Sequence, residues 1–402
     1  MPYLDENPKR NRKNKSKDIA LDKFGIPNES GKRKKKNDKI NGREKQNPFV
    51  RFAVNTFPQA DDSGGEKFRK IFLIIAVVAL AGALVFLGQQ IYQIGKGGDT
   101  NKTLAEIAGS PILSNTSVYH QPNYLATPML SIPEGPGTEE PEVEDLSPVV
   151  NEPLYIDFNE LRSINPDTKA WIKITDTMVN NVVVQSDDND YYLKHDFYGN
   201  ESISGTIFSS YLNRWDGTDD NIILYGHNML SGDFFAYVMH YVPDDWSTEP
   251  IAFYKKHPTV MLATPENGSE TYKIFAGMVC NTKNEYGEVF DYTTKTQFYG
   301  VDDFNNYILE VMDRSWFFTD VDITYGDQLL TLSTCYWPLG EEIDTRWVLL
   351  ARKVRPGESE EVDTSVAVRN YNPKLFDYYY QQIGGSWAGR TWDTSKLLSY
   401  YG

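Results

Sequence analysis

Three side chains of this 402-residue chain have the types and positions needed for thiol chemistry: Cys335, His227 and Arg346. The run QLLTLSTC (328–335) alternates in the manner of a β-strand, which predicts that Cys335 is the last residue of that strand, where a loop begins. Arg346 opens the following apolar run, RWVLLARKV. If the two strands pair as a hairpin, the guanidinium faces the thiol across the base of the loop. Such a cation would lower the thiol pKa and favour the nucleophilic thiolate.

A histidine at the end of a further strand could supply the proton transfers that a thiol nucleophile requires. The run NIILYGHNM (221–229) predicts a strand that ends just before His227. A lone histidine is more often structural than catalytic, and only its combination with Cys335 and Arg346 favours the catalytic role. Arg352 lies on the same face of its predicted strand, but about 20 Å beyond Arg346 at the rise of an extended chain, so it is a weaker candidate. The other histidines lie in a spacer, in polar surroundings or in a predicted helix: His120, His195, His257 and His240.

The elements that must position these residues are mainly β-strands. Eight short apolar runs, rich in Val, Ile and Tyr and separated by turn residues, predict an all-β sandwich or barrel with short helices. The runs occupy residues 170–174, 182–185, 205–208, 221–225, 260–263, 272–280, 328–334 and 347–353, and the predicted helices occupy 159–165, 234–241 and 301–315.

Charge and hydropathy divide the chain before this β region. Residues 1–70 hold 19 basic and 10 acidic residues, a net charge of +9, and the remaining 21 basic and 46 acidic residues give −25. So acidic a region repels phosphate backbones, and we expect no nucleic-acid ligand. The uncharged apolar run 71–88, preceded by Lys67, Arg69 and Lys70, predicts a membrane-spanning signal-anchor with a cytoplasmic N-terminus and an extracellular domain. A cleaved signal peptide fits less well, because the charged region before the run is too long.

Five segments follow from these patterns. They are a disordered basic cytoplasmic segment (1–70), a transmembrane signal-anchor (71–92), an acidic spacer rich in Pro, Ser and Gly (93–152), a folded β domain (153–356) and an aromatic-rich tail (357–402). The KRKKK run in the first segment could adhere to anionic lipid, but a topology signal is the simpler interpretation. For the tail we expect packing onto the surface of the domain.

TLSTC followed by an arginine that opens the next strand, together with YGHNM, resembles the active-site signature of sortases. Four further stretches resemble class B members specifically: AWIKI (170–174), VVVQSDDNDYYLKHDF (182–197), SGTIFSSYLN (204–213) and FYKKHPT (253–259). The resemblance covers about residues 155–355. It implies a sortase-type eight-stranded β-barrel and a membrane-anchored cysteine transpeptidase of Gram-positive bacteria. The catalytic residues it implies are Cys335, His227 and Arg346, with no metal or cofactor.

The same resemblance implies the substrates and the peptide groove. Cys335 would attack the carbonyl of a threonine in a C-terminal sorting motif, cleaving the chain after that threonine and forming a thioacyl-enzyme. The surface protein would then be transferred to an amine of a peptidoglycan precursor. The groove wall would include Asn189, Leu193, Tyr225, Ser333 and Tyr336, for each of which ordinary packing is the alternative.

Other functions remain open at this point. The acceptor could be a lysine of a pilin, the acyl group could pass to water as in a cysteine protease, or the barrel could be a catalytically idle binding module. Cys280 is expected in a strand, buried or near the groove. A disulfide between Cys280 and Cys335 is the ordinary expectation for an extracellular pair, but one bridge adds little to a domain of this size and the residues around Cys335 indicate another use.

Overall fold

The computed structural model describes residues 52–53, 55–109 and 145–398, so the KRKKK run and most of the predicted spacer lie outside the described residues. Its central element is a closed eight-stranded barrel with the strand order β1-β2-β3-β4-β8-β9-β6-β5. The strands are β1 (Thr168–Lys173), β2 (Asn180–Val184), β3 (Phe208–Ser209), β4 (Asn221–Tyr225), β5 (Thr259–Thr264), β6 (Gly268–Asn281), β7 (Phe317–Phe318), β8 (Leu329–Cys335), β9 (Thr345–Lys353) and β10 (Val368–Arg369). The α-helices are α1 (Gly64–Ile107), α2 (Phe158–Ile164), α3 (Ala252–Lys256), α4 (Val301–Arg314), α5 (Asp377–Ile383) and α6 (Ser395–Leu398). Single 3₁₀ turns occupy Tyr191–Leu193, Tyr237–Tyr241 and Asn284–Tyr286.

Each of the eight predicted apolar runs contributes a strand to this barrel, which confirms the predicted mainly β fold. Side chains alternate between its two faces, because successive residues of a strand point in opposite directions. Leu330, Leu332 and Leu349 belong to the cluster that fills the barrel. Leu329 and Val348 belong to a second cluster on the outer face. Cys335, at an even spacing from Leu329, therefore lies on the outer face of β8.

The strand directions bring distant parts of the sequence to one edge of the barrel. β4 and β8 are parallel neighbours, with Tyr225 opposite Ser333. β8 and β9 are antiparallel neighbours. Because parallel strands end on the same side, the residues that follow Tyr225 and Ser333 emerge together.

Helix α4 covers the outer face near this edge. Its Phe304, Ile308 and Val311 are buried against the second cluster, and the helix matches the predicted 301–315 to within one residue. Helix α2 matches the predicted helix 159–165 to within a residue at each end, and its N-cap Asp157 accepts a hydrogen bond from the amide of Glu160. The prediction of a helix at 234–241 was wrong in its first part, which is not helical. Residues Tyr237–Tyr241 form a short 3₁₀ helix.

Helix α1 contains the apolar run and is the helix, within the described part of the chain, that is long and apolar enough to cross a membrane. It continues to Ile107, well beyond the boundary predicted at residue 92. Burial of Leu104, Ala105 and Ala108 with the strand residue Trp171 offsets the poor helix propensity of its glycines. Gly97 is one of these glycines, and a Cβ there would lie 2.8 Å from Oγ of Ser204, so glycine permits the close approach.

Candidate active site

The β8–β9 hairpin places Cys335 directly opposite Arg346. This register confirms the hairpin inferred from spacing, and it also confirms that Cys335 is the last residue of its strand. Directly opposed residues of an antiparallel pair point to the same face with Cβ atoms about 5 Å apart. The thiol and the guanidinium therefore share the outer face of the barrel, and both are half-buried.

His227 reaches the same edge from β4. The amide of Gly226 donates to the carbonyl of Ser333 at 3.2 Å, which extends the parallel pairing beyond Tyr225. Asn228 donates through Nδ2 to the carbonyl oxygen of Cys335 itself at 3.2 Å. A Cβ at Gly226 would lie 2.7 Å from the ring of Phe235, so glycine alone fits before the histidine. The GHN sequence thus holds the backbone of His227 beside the end of β8.

The imidazole of His227 has a fixed orientation. Its Nε2 lies 2.9 Å from the carbonyl oxygen of Leu193, which can only accept, so Nε2 carries the hydrogen. In this neutral tautomer Nδ1 carries no hydrogen and can accept one. The 3₁₀ turn Tyr191–Leu193 supplies this carbonyl from another part of the chain.

The electrostatics of the thiol differ from the expectation drawn from sequence. Burial raises the pKa of Cys335 above its ordinary value. Arg346 lowers the pKa, as predicted, but Asp344 raises it, and the result is a net increase. The prediction of a depressed thiol pKa was therefore wrong, because the cost of placing a thiolate in a poorly solvated site exceeds the attraction of one cation.

Arg346 is held by its neighbours along the chain. Its Nη1 donates to Oδ1 of Asp344 and to the carbonyl of Thr345, the second at 2.9 Å. Asp344 is fixed in turn, since Oδ2 accepts a hydrogen bond from Oγ1 of Thr282 at 2.7 Å. Asp344 was not predicted from the sequence, although residues two apart in extended backbone share a face and this spacing from Arg346 could have identified it.

Arg352, the weaker candidate, has a structural role. It is 1% exposed and forms ion pairs with Asp322 and Glu358 at 2.6 and 2.7 Å. This compensation is what a buried guanidinium requires.

The expected groove residues divide into two groups. Asn189, Leu193 and Tyr225 are half-buried, with part of each side chain exposed to solvent. Asn189 accepts a hydrogen bond from the amide of Tyr211 at 3.0 Å, and Tyr225 packs on Phe208 with ring centroids 5.3 Å apart.

Ser333 and Tyr336 are 2% and 4% exposed and lie beneath the surface. Oγ of Ser333 is 2.8 Å from the hydroxyl of Tyr292. Tyr336 packs edge-on against Trp316 and Trp347, with ring centroids 6.4 and 6.2 Å apart. For these two residues the structure shows packing. No sequence pattern pointed to Tyr292.

Cys280 lies on β6, directly opposite Arg346 on the other side from Cys335. The cysteines are therefore two strand spacings apart, about 10 Å, too far for a disulfide, and both thiols are free. Cys280 is 2% exposed, and burial raises its pKa to about 12, so it stays protonated and unreactive near neutral pH.

Comparisons with known proteins identify the family of the chain. The sortase domain family matches residues 172–354. Sortase B of Listeria monocytogenes is 32% identical over 186 residues, which span 46% of this chain and 70% of that protein. Sortase B of Staphylococcus aureus is 29% identical over 178 residues, 44% of this chain and 67% of that protein.

The chain belongs to the sortase family. Its relatives are sortases of class B, and the chain is a cysteine transpeptidase of that type. Among solved structures, Clostridium perfringens sortase B is 33% identical and covers 49% of this chain and 99% of its own, with a TM-score of 0.42. A Staphylococcus aureus sortase B–substrate complex is 28% identical and covers 49% of this chain and 84% of its own, also with a TM-score of 0.42.

Proposed function

We propose that Cys335 is the nucleophile, His227 the acid and base, and Arg346 the group that binds the developing oxyanion. The observation that carries these roles is the meeting of β4, β8 and β9 at one edge, which brings the three residues together. The raised pKa of Cys335 keeps the thiol protonated near neutral pH. Attack therefore requires that a base accept the proton, and Nδ1 of His227 is the available nitrogen.

The reaction then proceeds in two halves. Sγ of Cys335 attacks the carbonyl carbon of a threonine in the sorting motif of a surface protein, while the thiol proton passes to His227. Arg346 donates hydrogen bonds to the oxyanion. When the peptide C–N bond breaks, His227 returns the proton to the leaving amine, and a thioester remains on Cys335. A second amine attacks the thioester, His227 takes its proton, and Cys335 leaves as the new amide forms.

The acceptor we propose is an amine of a peptidoglycan precursor. Its support is membership of the sortase family, whose members act on sorting-motif surface proteins and cell-wall precursors. The half-buried Leu193 and Tyr225 would contact the bound peptide, together with Asn189, whereas Ser333 and Tyr336 would shape the groove from below.

The apolar part of α1 would anchor the enzyme in the cell membrane, with the N-terminus in the cytoplasm. Its length and hydropathy support a membrane span. Lys67, Arg69 and Lys70 precede the apolar run, and such a charge bias favours a cytoplasmic side. The catalytic barrel at 153–356 would lie outside the cell, and the first part of the predicted spacer, residues 93–107, forms the end of α1.

The test uses the full chain in detergent, a library of sorting-type peptides and two acceptors, a peptidoglycan-type amine and a lysine-bearing pilin peptide. Mass spectrometry should find a thioacyl adduct and an amide product that disappear in Cys335→Ala and persist in Cys280→Ala. Transfer to the pilin lysine alone would show that the acceptor is a pilin and not a peptidoglycan precursor. Release of the acyl group to water alone would indicate a protease. No adduct, with Cys335 unreactive to thiol reagents, would indicate an idle binding module.

A further inference from the structure

The segment after β9 is fastened to the barrel domain by specific contacts. The sortase family match ends at residue 354, so this segment lies outside the part shared with the family. β10 pairs with β7 in antiparallel fashion. Arg390 donates two hydrogen bonds to Asp313, at 2.7 and 2.8 Å, and Trp392 is 9% exposed within the second cluster. The tail thus packs onto the domain, as its aromatic composition led us to expect.

Helix α5 in this segment presents two consecutive tyrosines to the surroundings of the active site. Tyr379 is 9% exposed and packs edge-on against Trp316, with ring centroids 6.5 Å apart. Trp316 contacts Tyr336, the residue that follows the nucleophile Cys335. One line of aromatic contacts therefore runs from the tail to the start of the β8–β9 loop.

Tyr378 begins a second line of contacts. Its ring packs against Tyr286, with centroids 5.5 Å apart. The hydroxyl of Tyr286 donates to the carbonyl of Glu342 in the β8–β9 loop at 3.2 Å. Gly287 follows with φ near 124°, and a Cβ there would lie 2.8 Å from the backbone nitrogen of Asp377, so α5 presses directly on this turn.

Both lines end on the loop that joins Cys335 to Arg346. This loop, residues 336–344, contains Pro338 and Gly340 and connects the two strands that carry the thiol and the guanidinium. Asp344, at its end, forms the ion pair with Arg346. A displacement of about 1 Å in a catalytic group can reduce the rate about 100-fold.

We propose that the C-terminal segment is a positioning element of the active site, in which Tyr378, acting through Tyr286, holds the β8–β9 loop and thereby Arg346 in place beside Cys335. This inference rests on the catalytic roles proposed above. Tyr378 and Tyr286 are positioning residues, since the bound peptide would meet Cys335 and Arg346 and these tyrosines act through the loop.

The experiment compares Tyr378→Ala with Tyr299→Ala in the full chain. Tyr299 is 89% exposed and serves as the matched control. With a reactive peptide and an amine acceptor, Tyr378→Ala should lower kcat about tenfold, less than the loss of a whole oxyanion donor, and leave KM within about twofold. Tyr286→Phe keeps the ring and removes the hydrogen bond to Glu342, and it should lower kcat by a smaller factor in the same direction. Thermal unfolding of each variant shows whether the fold is retained.

A second readout separates positioning from a general loss of structure. The rate at which a small reagent alkylates Cys335 is followed against pH, in a Cys280→Ala background. Tyr378→Ala should move this profile to higher pH, because a displaced guanidinium stabilises the thiolate less, and it should add no further shift to Arg346→Ala. Equal kinetics in Tyr378→Ala and Tyr299→Ala, while Arg346→Ala is inactive, would overturn this inference alone. Full activity of Arg346→Ala would overturn the proposed role of Arg346 and this inference with it.

Discussion

The carboxylate of Asp344 accepts a hydrogen bond from Nη1 of Arg346, so the guanidinium that faces the thiol of Cys335 already has an anionic partner. The two residues are separated in the chain only by Thr345. Thr282, from a neighbouring segment, donates a hydrogen bond that fixes the carboxylate. In the proposed mechanism, a substrate oxyanion would therefore share Arg346 with Asp344. This relationship also affects the thiol, because Asp344 raises the pKa of Cys335 while Arg346 lowers it.

Replacement of Asp344 by asparagine should lower the pKa of Cys335. The substitution removes a negative charge that opposes the thiolate and leaves the guanidinium unshared. The pH profile of Cys335 alkylation should accordingly move to lower pH, measured in a Cys280→Ala background. Glu341→Gln removes an exposed carboxylate from the same loop and is the control. A profile that moves to higher pH would show that Asp344 chiefly holds Arg346 in place.

The sequence was sufficient to predict the elements that carry the site, because strand ends follow from local patterns. The alternation in QLLTLSTC placed Cys335 at a strand end, and the loop before Arg346 indicated a hairpin. The register of that hairpin in the structure sets the two residues opposite each other. What the sequence could not supply was the environment of the thiol. The pKa of Cys335 depends chiefly on its burial in the folded domain, which no local pattern in the sequence gives.

The helix boundary and the tail show the same limitation. The composition of residues 93–152 indicated a spacer, whereas tertiary burial of Leu104 and Ala108 keeps the chain helical to Ile107. In the tail, an aromatic run predicted packing but not the partner. The contact between Tyr378 and Tyr286 joins residues that no local pattern relates.

Replacement of His227 by glutamine should separate proton transfer from thiol reactivity. The side-chain amide can still donate to the carbonyl of Leu193, but it cannot accept or return a proton near neutral pH. Transpeptidation should fall by about 10²–10⁴-fold, the usual contribution of a general acid–base group. Alkylation of Cys335 well above its pKa should continue, because the thiolate then forms without a base. Tyr299→Ala, at an exposed position, provides the comparison, and loss of alkylation at high pH in His227→Gln would indicate a structural defect instead.

The hydrogen bond between Ser333 and Tyr292 predicts an effect on stability. Ser333→Ala leaves the hydroxyl of Tyr292 buried without this partner, which should cost about 1–3 kcal/mol of the free energy of unfolding. Tyr292→Phe removes the other partner, and the double variant should lose less than the sum of the two single variants. Urea unfolding of the four proteins measures this coupling. Strict additivity, together with a raised KM in Ser333→Ala, would show that Ser333 contacts the peptide directly.

His257 should make the folded domain sensitive to mild acid. The side chain is 4% exposed, and burial, with a smaller contribution from Lys256, lowers its pKa to about 4. An unfolded chain restores a pKa near 6.5, so the unfolded state binds more protons between about pH 6.5 and pH 4. The free energy of unfolding should therefore decrease as the pH falls through this window, by about 2 kcal/mol between pH 7 and pH 5 from this residue. Burial lowers the pKa of His240 as well, which adds in the same direction.

The measurement is urea unfolding of the full chain in detergent at pH 7, 6 and 5. In His257→Gln the pH dependence should be smaller by the amount that this imidazole contributes, whatever the change in absolute stability. The carboxylates with lowered pKa values, such as Glu358, are ionised in both states over this range and contribute little to the slope. Tyr299→Ala, at an exposed position, is the control, and its pH dependence should match that of the original protein. If His257→Gln kept the full pH dependence, the acid sensitivity would have to come from another group.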